Sequence, residues 1–295
     1  MKNPLDGTAR TSKKNLFSTL LVLLALGFTT RAGDFKAPVG LQLYTFRESF
    51  KTNVTGTLDK VKALGFTIVE GGSDYGLGVE KFNAALKERG LKMVSAGFGY
   101  EVLQKDLAGS VAKAKAFGVK FVMVAWIPHK KAFTEEDVHQ AAANFNTWGA
   151  AFKAGGITFT YHVHGYEFQP LKNDATRTHF DLLAAETKPE FVSFEMDVFW
   201  VTHPGQDPAK LLSQFPNRWA LMHLKDLRRG APTCIHTGHA PSSDDVPLGT
   251  GQVNWPAVLK QAAAAGVKHY FIEDESPAPL ESLPMSVKYL QGVKF

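Results

Sequence analysis

The chain alternates short apolar runs with amphipathic stretches eight times between residue 39 and its C-terminus. Short apolar runs of this kind predict strands covered on both faces, and the amphipathic stretches predict helices that cover them. The predicted strands are 39–46, 67–71, 92–97, 121–126, 158–164, 192–197, 220–225 and 268–273. The predicted helices are 54–64, 79–89, 107–117, 135–154, 175–186, 208–214, 255–265 and 280–291. Eight such units in about 260 residues favour an α/β fold with a closed (β/α)8 TIM barrel.

Glycine stands just past five of the predicted helices, where a left-handed C-cap is favoured. These glycines are Gly65, Gly90, Gly118, Gly155 with Gly156, and Gly266. The sequence lacks a Gly-x-Gly-x-x-Gly motif after the first strand, and Gly249-Thr-Gly251 is an isolated pair, which argues against a dinucleotide-binding sheet. No linker divides the body, so we expect one barrel domain over 34–295.

The N-terminal segment 1–33 has the pattern of a secretory signal peptide. Lys13 and Lys14 precede an apolar run over 16–28, and small residues precede Gly33. The run is short for a bilayer-spanning helix, and an uncleaved anchor is the alternative. We therefore expect an exported protein, periplasmic or secreted, that meets the membrane only during export.

Charge and cysteine content narrow the function classes. The net charge of +5 comes mainly from residues 1–33, which have five basic residues and one acidic residue and leave about +1 for the body. A nearly neutral body without a basic run does not favour binding to nucleic acid. Cys234 is the single cysteine, which excludes a disulfide scaffold and a CxxC-type zinc or redox motif.

Polar side chains end the last four predicted strands, where a core would favour valine or leucine. They are His162, His164 and nearby Glu167 for strand five, Glu195 and Asp197 for strand six, His223 and Lys225 for strand seven, and Glu273 and Glu275 for strand eight. Within a strand, residues two apart face the same side, and barrel active sites lie at the C-terminal strand ends. Buried carboxylates and imidazoles of this kind suit one divalent ion, Mn, Co, Mg or Zn. A salt-bridged cluster at the barrel mouth is the alternative.

Five segments resemble the sugar phosphate isomerase/epimerase family, whose fold is a xylose isomerase-like TIM barrel. They read LQLYTFR at 41–47, YHVHGYEF at 161–168, MDVFW at 196–200, HLKD at 223–226 and IEDE at 272–275. The resemblance runs from about residue 39 to the C-terminus. It implies a divalent metal that is held by one residue from each of strands five to eight, usually Glu, Asp, His and Glu.

Asp197, His223 and Glu273 match the last three of those ligands. Strand five departs from the pattern, because it offers His162 where many relatives have glutamate. His162 is the expected fourth ligand, ahead of His164 and Glu167.

The chemistry of such a site is proton abstraction α to a carbonyl through a metal-stabilised enediolate. Glu273 and His164 are the candidate bases. Lys225 can hold an oxyanion or can pair with Asp226 or Glu195. Return of the proton gives isomerisation or epimerisation, and loss of a β-substituent gives elimination.

Three further residues are expected to bind substrate. Trp126 and Trp200 end strands four and six and can form a flat wall for a sugar ring, although core or rim positions are the alternative. Glu70 ends strand two and can bind a substrate hydroxyl or brace the barrel. The loop 227–253 is expected to act as a lid, with its histidines solvated.

The leading interpretation is a metal-dependent isomerase or epimerase of a small-molecule carbohydrate. The runner-up is a lyase or hydrolase of 3-keto-glycosides that uses the same chemistry, and a non-catalytic periplasmic sugar-binding barrel is the third. An endonuclease IV-like repair enzyme is disfavoured, because strands two and three end without histidine. The oligomeric state is left open.

Overall fold

The computed structural model describes residues 34–130, 132–236 and 238–295, and the predicted signal peptide lies outside the described residues. The eight barrel strands are β1 Val39–Gln42, β2 Ile68–Gly71, β3 Lys92–Gly97, β4 Phe121–Val124, β5 Thr158–His162, β6 Val192–Asp197, β7 Trp219–Leu224 and β10 His269–Ile272. They close in the order β1-β10-β7-β6-β5-β4-β3-β2, and every pairing is parallel. The predicted TIM barrel is confirmed.

The helices are α1 Arg47–Phe50, α2 Val54–Ala63, α3 Val79–Glu88, α4 Tyr100–Lys105, α5 Leu107–Phe117, α6 Glu135–Ala154, α7 His179–Glu186, α8 Val198–Thr202, α9 Pro208–Gln214, α10 Trp255–Ala265 and α11 Pro279–Gly292. No helix in the described part of the chain combines the length and apolar character needed to cross a membrane.

Local signals account for most helix boundaries. Glycines with φ between +67° and +88° follow α2, α3, α5, α6 and α10, as expected, although Gly156 rather than Gly155 is the left-handed residue after α6. The helix α7 begins at His179 instead of the predicted 175, because Thr178 and Asp181 form a capping box there.

Several strands are shorter at their C-terminal ends than predicted. The first leaves the barrel after Gln42, whose side chain accepts a hydrogen bond from the Tyr44 N–H and starts a 3-10 turn over Leu43–Phe46. The fourth and fifth strands end at Val124 and His162. The residues just past these ends are therefore free to turn toward the barrel mouth.

The segment 227–253 is more ordered than the sequence predicts. It contains β9 Asp245–Val246, which pairs antiparallel with β8 Asp226–Leu227. The Asp226 Oδ2 atom accepts hydrogen bonds from the Gly249 N–H at 2.9 Å and from the Trp255 Nε1 at 2.9 Å. Asp226 therefore anchors this segment, and it is not the partner of Lys225 that the sequence allowed.

An apolar floor fills the N-terminal end of the barrel. It is formed by Val94, Ala220, Leu221 and Phe271, with Ile68 and Phe121 packed against them. Gly40 completes the floor, since a Cβ there would lie 2.7 Å from Phe271 Cδ1. The polar interior residues stand one layer closer to the C-terminal strand ends.

Candidate metal centre and active site

Strand register brings the polar residues of the barrel interior together. His162 on β5 pairs with Glu195 on β6, and Asp197 pairs with His223 on β7. All four side chains are buried. His162 and His223 lie on the two strands that flank β6, and their imidazoles are 4.6 Å apart, ring centre to ring centre.

His162, Asp197 and His223 offer three ligand atoms that lie within 4.8 Å of one another. The Asp197 Oδ2 atom is 3.8 Å from His162 Nε2 and 3.7 Å from His223 Nδ1. Asp197 Oδ1 is occupied, because it caps α8 by accepting the Trp200 N–H at 3.0 Å. Asp197 Oδ2 has no hydrogen-bond partner among the described residues, and His223 Nδ1 makes no well-aligned hydrogen bond, although Glu273 Oε2 lies 2.7 Å away. Orphaned nitrogen and carboxylate ligand atoms that converge in this way fit a divalent ion such as Zn, Co or Mn.

Glu273 follows β10 and stands at the edge of this group. Its Oε2 atom is 2.7 Å from His223 Nδ1, and its Oε1 atom is 3.5 Å from Lys225 Nζ. Burial raises the pKa of Glu273, but the Lys225 and His223 charges outweigh it and hold that pKa well below the ordinary value. The structure thus brings together the four predicted ligands, His162, Asp197, His223 and Glu273; that they bind a metal stays a prediction.

Two further carboxylates lie on the opposite side of the imidazoles. Glu70 Oε1 is 2.7 Å from His223 Nε2 and also accepts a hydrogen bond from Gln42 Nε2 at 2.6 Å. Glu195 lies 3.3 Å from His223 Nε2 and 3.4 Å from His162 Nδ1. Burial raises the pKa of Glu195, but His223 and His162 together lower it to about 2. Burial, followed by the nearby Glu195 charge, raises the pKa of Glu70.

The substrate-binding role expected for Glu70 does not fit its position. Its side chain is completely buried and is absent from the cavity lining. Glu70 braces His223 instead, which is the alternative that the sequence left open. Glu195 was expected among the polar strand ends and as a possible partner of Lys225, and its spacing of two from Asp197 is the sequence signal that both face the barrel interior.

The alternatives on strand five are separated by their hydrogen bonds. Glu167 accepts a short hydrogen bond from the Tyr161 hydroxyl and a second one, at 2.9 Å, from the His164 N–H, so it braces the loop after β5. The His164 ring stacks on Trp200 with centroids 4.9 Å apart. Burial, then the His162 and Lys225 charges, hold the pKa of His164 well below its ordinary value. His164 is therefore a neutral imidazole at the cavity wall.

Lys225 is buried between two carboxylates. Its Nζ atom lies 2.5 Å from Glu275 Oε1 and 3.5 Å from Glu273 Oε1, so neither Glu195 nor Asp226 is its partner. Burial would lower the pKa of Lys225, but Glu273 and other nearby carboxylates raise it well above the ordinary value. Arg47 reaches Glu275 at 3.4 Å from the other side. A chain of alternating charges therefore runs from the cavity rim to Glu273.

His162, His223 and Glu273 line a cavity of about 670 Å³. One wall is aromatic, and we call it the aromatic wall; it consists of Trp126, His164, Trp200 and His239. The charged part of the lining consists of Arg47, Lys225, Asp245, Glu273 and Glu275, and it meets the aromatic wall where Lys225 Nζ lies 5.6 Å from the centre of the Trp200 ring. The two predicted tryptophans thus lie where a bound ring can stack. His239 is exposed, in line with the expected solvation of the loop histidines, and its ring also stacks on Trp126 with centroids 5.6 Å apart.

Comparison with known proteins gives several similar chains. Over 266 residues the sequence is 24% identical to an inosose dehydratase from Geobacillus thermodenitrificans, covering 80% of this chain and 87% of that protein. A sugar phosphate isomerase/epimerase from Parabacteroides distasonis superposes with a TM-score of 0.72 at 23% identity, covering 90% of this chain and 98% of that one.

Two more distant structures share the fold. The IOLI protein, solved with a bound zinc atom, has a TM-score of 0.67 at 14% identity, with 85% of this chain and 95% of that chain covered. The 3-keto-D-glucoside 4-epimerase YcjR from E. coli has a TM-score of 0.62 at 17% identity, with 88% and 100% covered. Residues 58–292 match the sequence pattern of one family across most of the barrel. The chain belongs to the xylose isomerase-like TIM barrel family.

Proposed function

We propose that this protein is a divalent-metal-dependent isomerase or epimerase of a keto sugar. The observation that carries the proposal is the convergence of Asp197 Oδ2, His162 Nε2 and His223 Nδ1 beside a cavity of about 670 Å³. The names of its relatives, inosose dehydratase and 3-keto-D-glucoside 4-epimerase, support a carbonyl-containing substrate.

The protein's own residues supply the proton transfers. A divalent ion held by His162, Asp197, His223 and Glu273 would polarise the substrate carbonyl and stabilise the charge that develops on its oxygen. Glu273 and His164 follow β10 and β5, which β7 and β6 separate in the barrel. They are the proton carriers for the α-carbon, because epimerisation needs one group on each face of that carbon. Lys225 donates to the oxygen on which negative charge develops.

Deuterium exchange tests this reaction directly. The chain 34–295 is loaded with Mn²⁺ or Co²⁺ and incubated in D2O with an inosose or with 3-keto-glucose. We expect deuterium at the carbon α to the carbonyl, detected by NMR, and none with Asp197→Ala. Metal-loaded protein that exchanges no α-hydrogen in either compound would contradict the proposal.

Elimination from a 3-keto-glycoside is the second candidate, and the size of the cavity favours it. A volume of about 670 Å³ lies within the range that holds drug-sized ligands, so it has room for an aglycone beside one sugar ring. Release of p-nitrophenol from a 3-keto-p-nitrophenyl glucoside would identify this reaction.

A non-catalytic sugar-binding barrel makes the opposite prediction. In such a protein Asp197→Ala would leave sugar affinity largely intact, and no substrate would be converted. Isothermal titration calorimetry of the sugar with the wild type and with Asp197→Ala distinguishes a sugar-binding barrel from an enzyme.

We further propose that the protein is exported, because residues 1–33 have the pattern of a signal peptide. Fractionation of cells that express the full chain, with mass spectrometry of the mature N-terminus, tests this. A protein retained in the cytoplasm with residues 1–33 intact would contradict it.

A further inference from the structure

Glu195 is a buried carboxylate that the proposed reaction does not use. Its side chain is completely buried, and neither of its oxygens has a hydrogen-bond partner among the described residues. Its imidazole neighbours are His223 Nε2 at 3.3 Å and His162 Nδ1 at 3.4 Å. A buried carboxylate without compensation is strongly destabilising, so its place between two imidazoles needs a reason.

The orientation of the two imidazoles provides that reason. In each ring one nitrogen faces the Glu195 carboxylate. The other nitrogen faces Asp197 Oδ2, at 3.8 Å for His162 and 3.7 Å for His223. An imidazole that binds a metal is neutral, with one N–H and one lone pair. The carboxylate of Glu195 attracts the N–H, which leaves the lone pairs on the side of Asp197 and Glu273, where a metal ion would bind. Glu70 acts in the same way at His223 Nε2, at 2.7 Å.

Glu195 lies next to His162, the strand-five residue that departs from the ligand pattern implied by the resemblance. That strand offers His162 where the family resemblance implies a glutamate ligand, so the ligand set has one negative charge fewer. Glu195 is the register partner of His162 on the neighbouring strand. It returns a carboxylate charge to the site within 3.4 Å of the substituted ligand.

We propose that Glu195 is a positioning residue that replaces, from beneath, the carboxylate charge missing from strand five. It acts through His162 and His223 by orienting their rings and by making their free nitrogen lone pairs more basic toward a metal ion. This inference rests on the metal centre of the proposed function. Its specific consequence is that residues 162 and 195 must change together: a glutamate at 162 would face Glu195 and repel it.

The test is a charge exchange between these two positions. His162→Glu, Glu195→Gln and the double variant are compared with the wild type and with Glu190→Gln, an exposed glutamate that precedes the same strand. Co²⁺ alone is the probe. Binding is followed by visible absorption, stoichiometry by equilibrium dialysis, and folding by the Tm of the metal-free proteins.

We expect the wild type and Glu190→Gln to bind one Co²⁺ per chain. Each single variant should bind about 10- to 100-fold more weakly, the usual effect of losing an outer partner of a metal ligand. The double variant should bind within about tenfold of the wild type, because it again has one carboxylate charge at this place. If one single variant does not fold, the Co²⁺ affinity of the double variant is compared with that of the other single variant, and tighter binding by the double variant still supports the inference.

Four results would overturn the inference. If the Glu195→Gln variant binds Co²⁺ as tightly as the wild type, Glu195 has no part in the metal site. If that variant also converts substrate, the proposed function is unaffected by this result. If the double variant binds Co²⁺ no more tightly than the weaker of the two single variants, Glu195 does not replace the carboxylate charge missing from strand five. Two Co²⁺ ions per chain, with one lost in Glu195→Gln, would make Glu195 a direct ligand of a second ion among Glu70, Glu195 and His223. A wild type that binds no Co²⁺ overturns the metal centre and this inference together.

Discussion

His223 Nε2 lies 2.7 Å from Glu70 Oε1, although the two residues are 153 positions apart in the sequence. Both side chains are buried, and the contact turns His223 Nδ1 toward Asp197 and Glu273. With a metal ion at Nδ1, the carboxylate on strand two would hold the remaining proton of His223 on Nε2.

Replacing Glu70 by glutamine should weaken the metal site and leave substrate contacts unchanged. The amide lacks the negative charge that strengthens His223 as a donor, so we expect about 10- to 100-fold weaker Co²⁺ binding. With saturating metal, the KM for substrate should stay at the wild-type value. A raised KM with unchanged metal affinity would instead support the direct substrate contact that the sequence allowed.

Asp197 has two roles that two substitutions separate. Asp197→Ala should lose both the metal and the N-cap of α8, and a lost cap costs about 0.5–2 kcal/mol of stability. Asp197→Asn keeps an oxygen for the Trp200 N–H and should lose only the metal. Metal content by elemental analysis and urea unfolding of the metal-free proteins measure the two effects. Equal metal content in the wild type and both variants would rule out Asp197 as a ligand.

Lys225 should contribute to rate rather than to metal binding. Removing its charge leaves Glu273 and Glu275 facing each other, so Lys225→Met is best made together with Glu275→Gln. In that double variant we expect kcat to fall about 10²- to 10³-fold, as on loss of one oxyanion donor, with the metal retained. Glu275→Gln alone is the control. Wild-type kcat in the double variant would show that Lys225 serves only as an ion-pair partner.

Trp126 should select for larger substrates through the aromatic wall. Aromatic contacts contribute about 0.5–1.5 kcal/mol, so Trp126→Ala should raise the KM for an aryl 3-keto-glucoside by about three- to tenfold. The KM for free 3-keto-glucose should change less, because a free sugar lacks the aryl group. His239→Ala provides a second test, since its ring stacks on Trp126. Equal effects on both substrates would mean that the tryptophan contacts the sugar ring itself.

The raised pKa of Glu167 predicts how the free energy of unfolding depends on pH. Burial raises the pKa of Glu167 above the value of an unfolded chain, so the folded protein takes up a proton first as the pH falls. The Glu167 contribution to the free energy of unfolding is therefore lowest above the folded pKa. It grows as the pH falls from 7 toward about 4.5, the ordinary value for glutamate.

Urea unfolding of the wild type and Glu167→Gln at several pH values tests this. The free energy of unfolding of the wild type should rise relative to that of the variant as the pH decreases through this window. Glutamine does not titrate, so it serves as the reference. A difference that stays constant or shrinks toward acid pH would contradict the raised pKa.

Much of this protein follows from its sequence. The spacing of apolar runs predicted all eight barrel strands, and the helix boundaries of α5, α6, α9 and α10 match the observed ones. Asp197, His223 and Glu273 stood out because charged residues ended strands that were otherwise apolar. These signals are local: periodicity, capping and the polarity of a strand end can be read within a few neighbouring residues.

Tertiary structure decided which polar residues meet. Closure of the barrel placed Glu70 beneath His223 rather than in the cavity, and strand register placed Glu195 beside His162. The partners of Lys225 and the stacking of His239 on Trp126 were also settled only by packing. The physical reason is that such contacts depend on register, twist and loop path between distant segments. A strand's own sequence sets which side chains face inward, but the neighbouring strand decides what each one touches there.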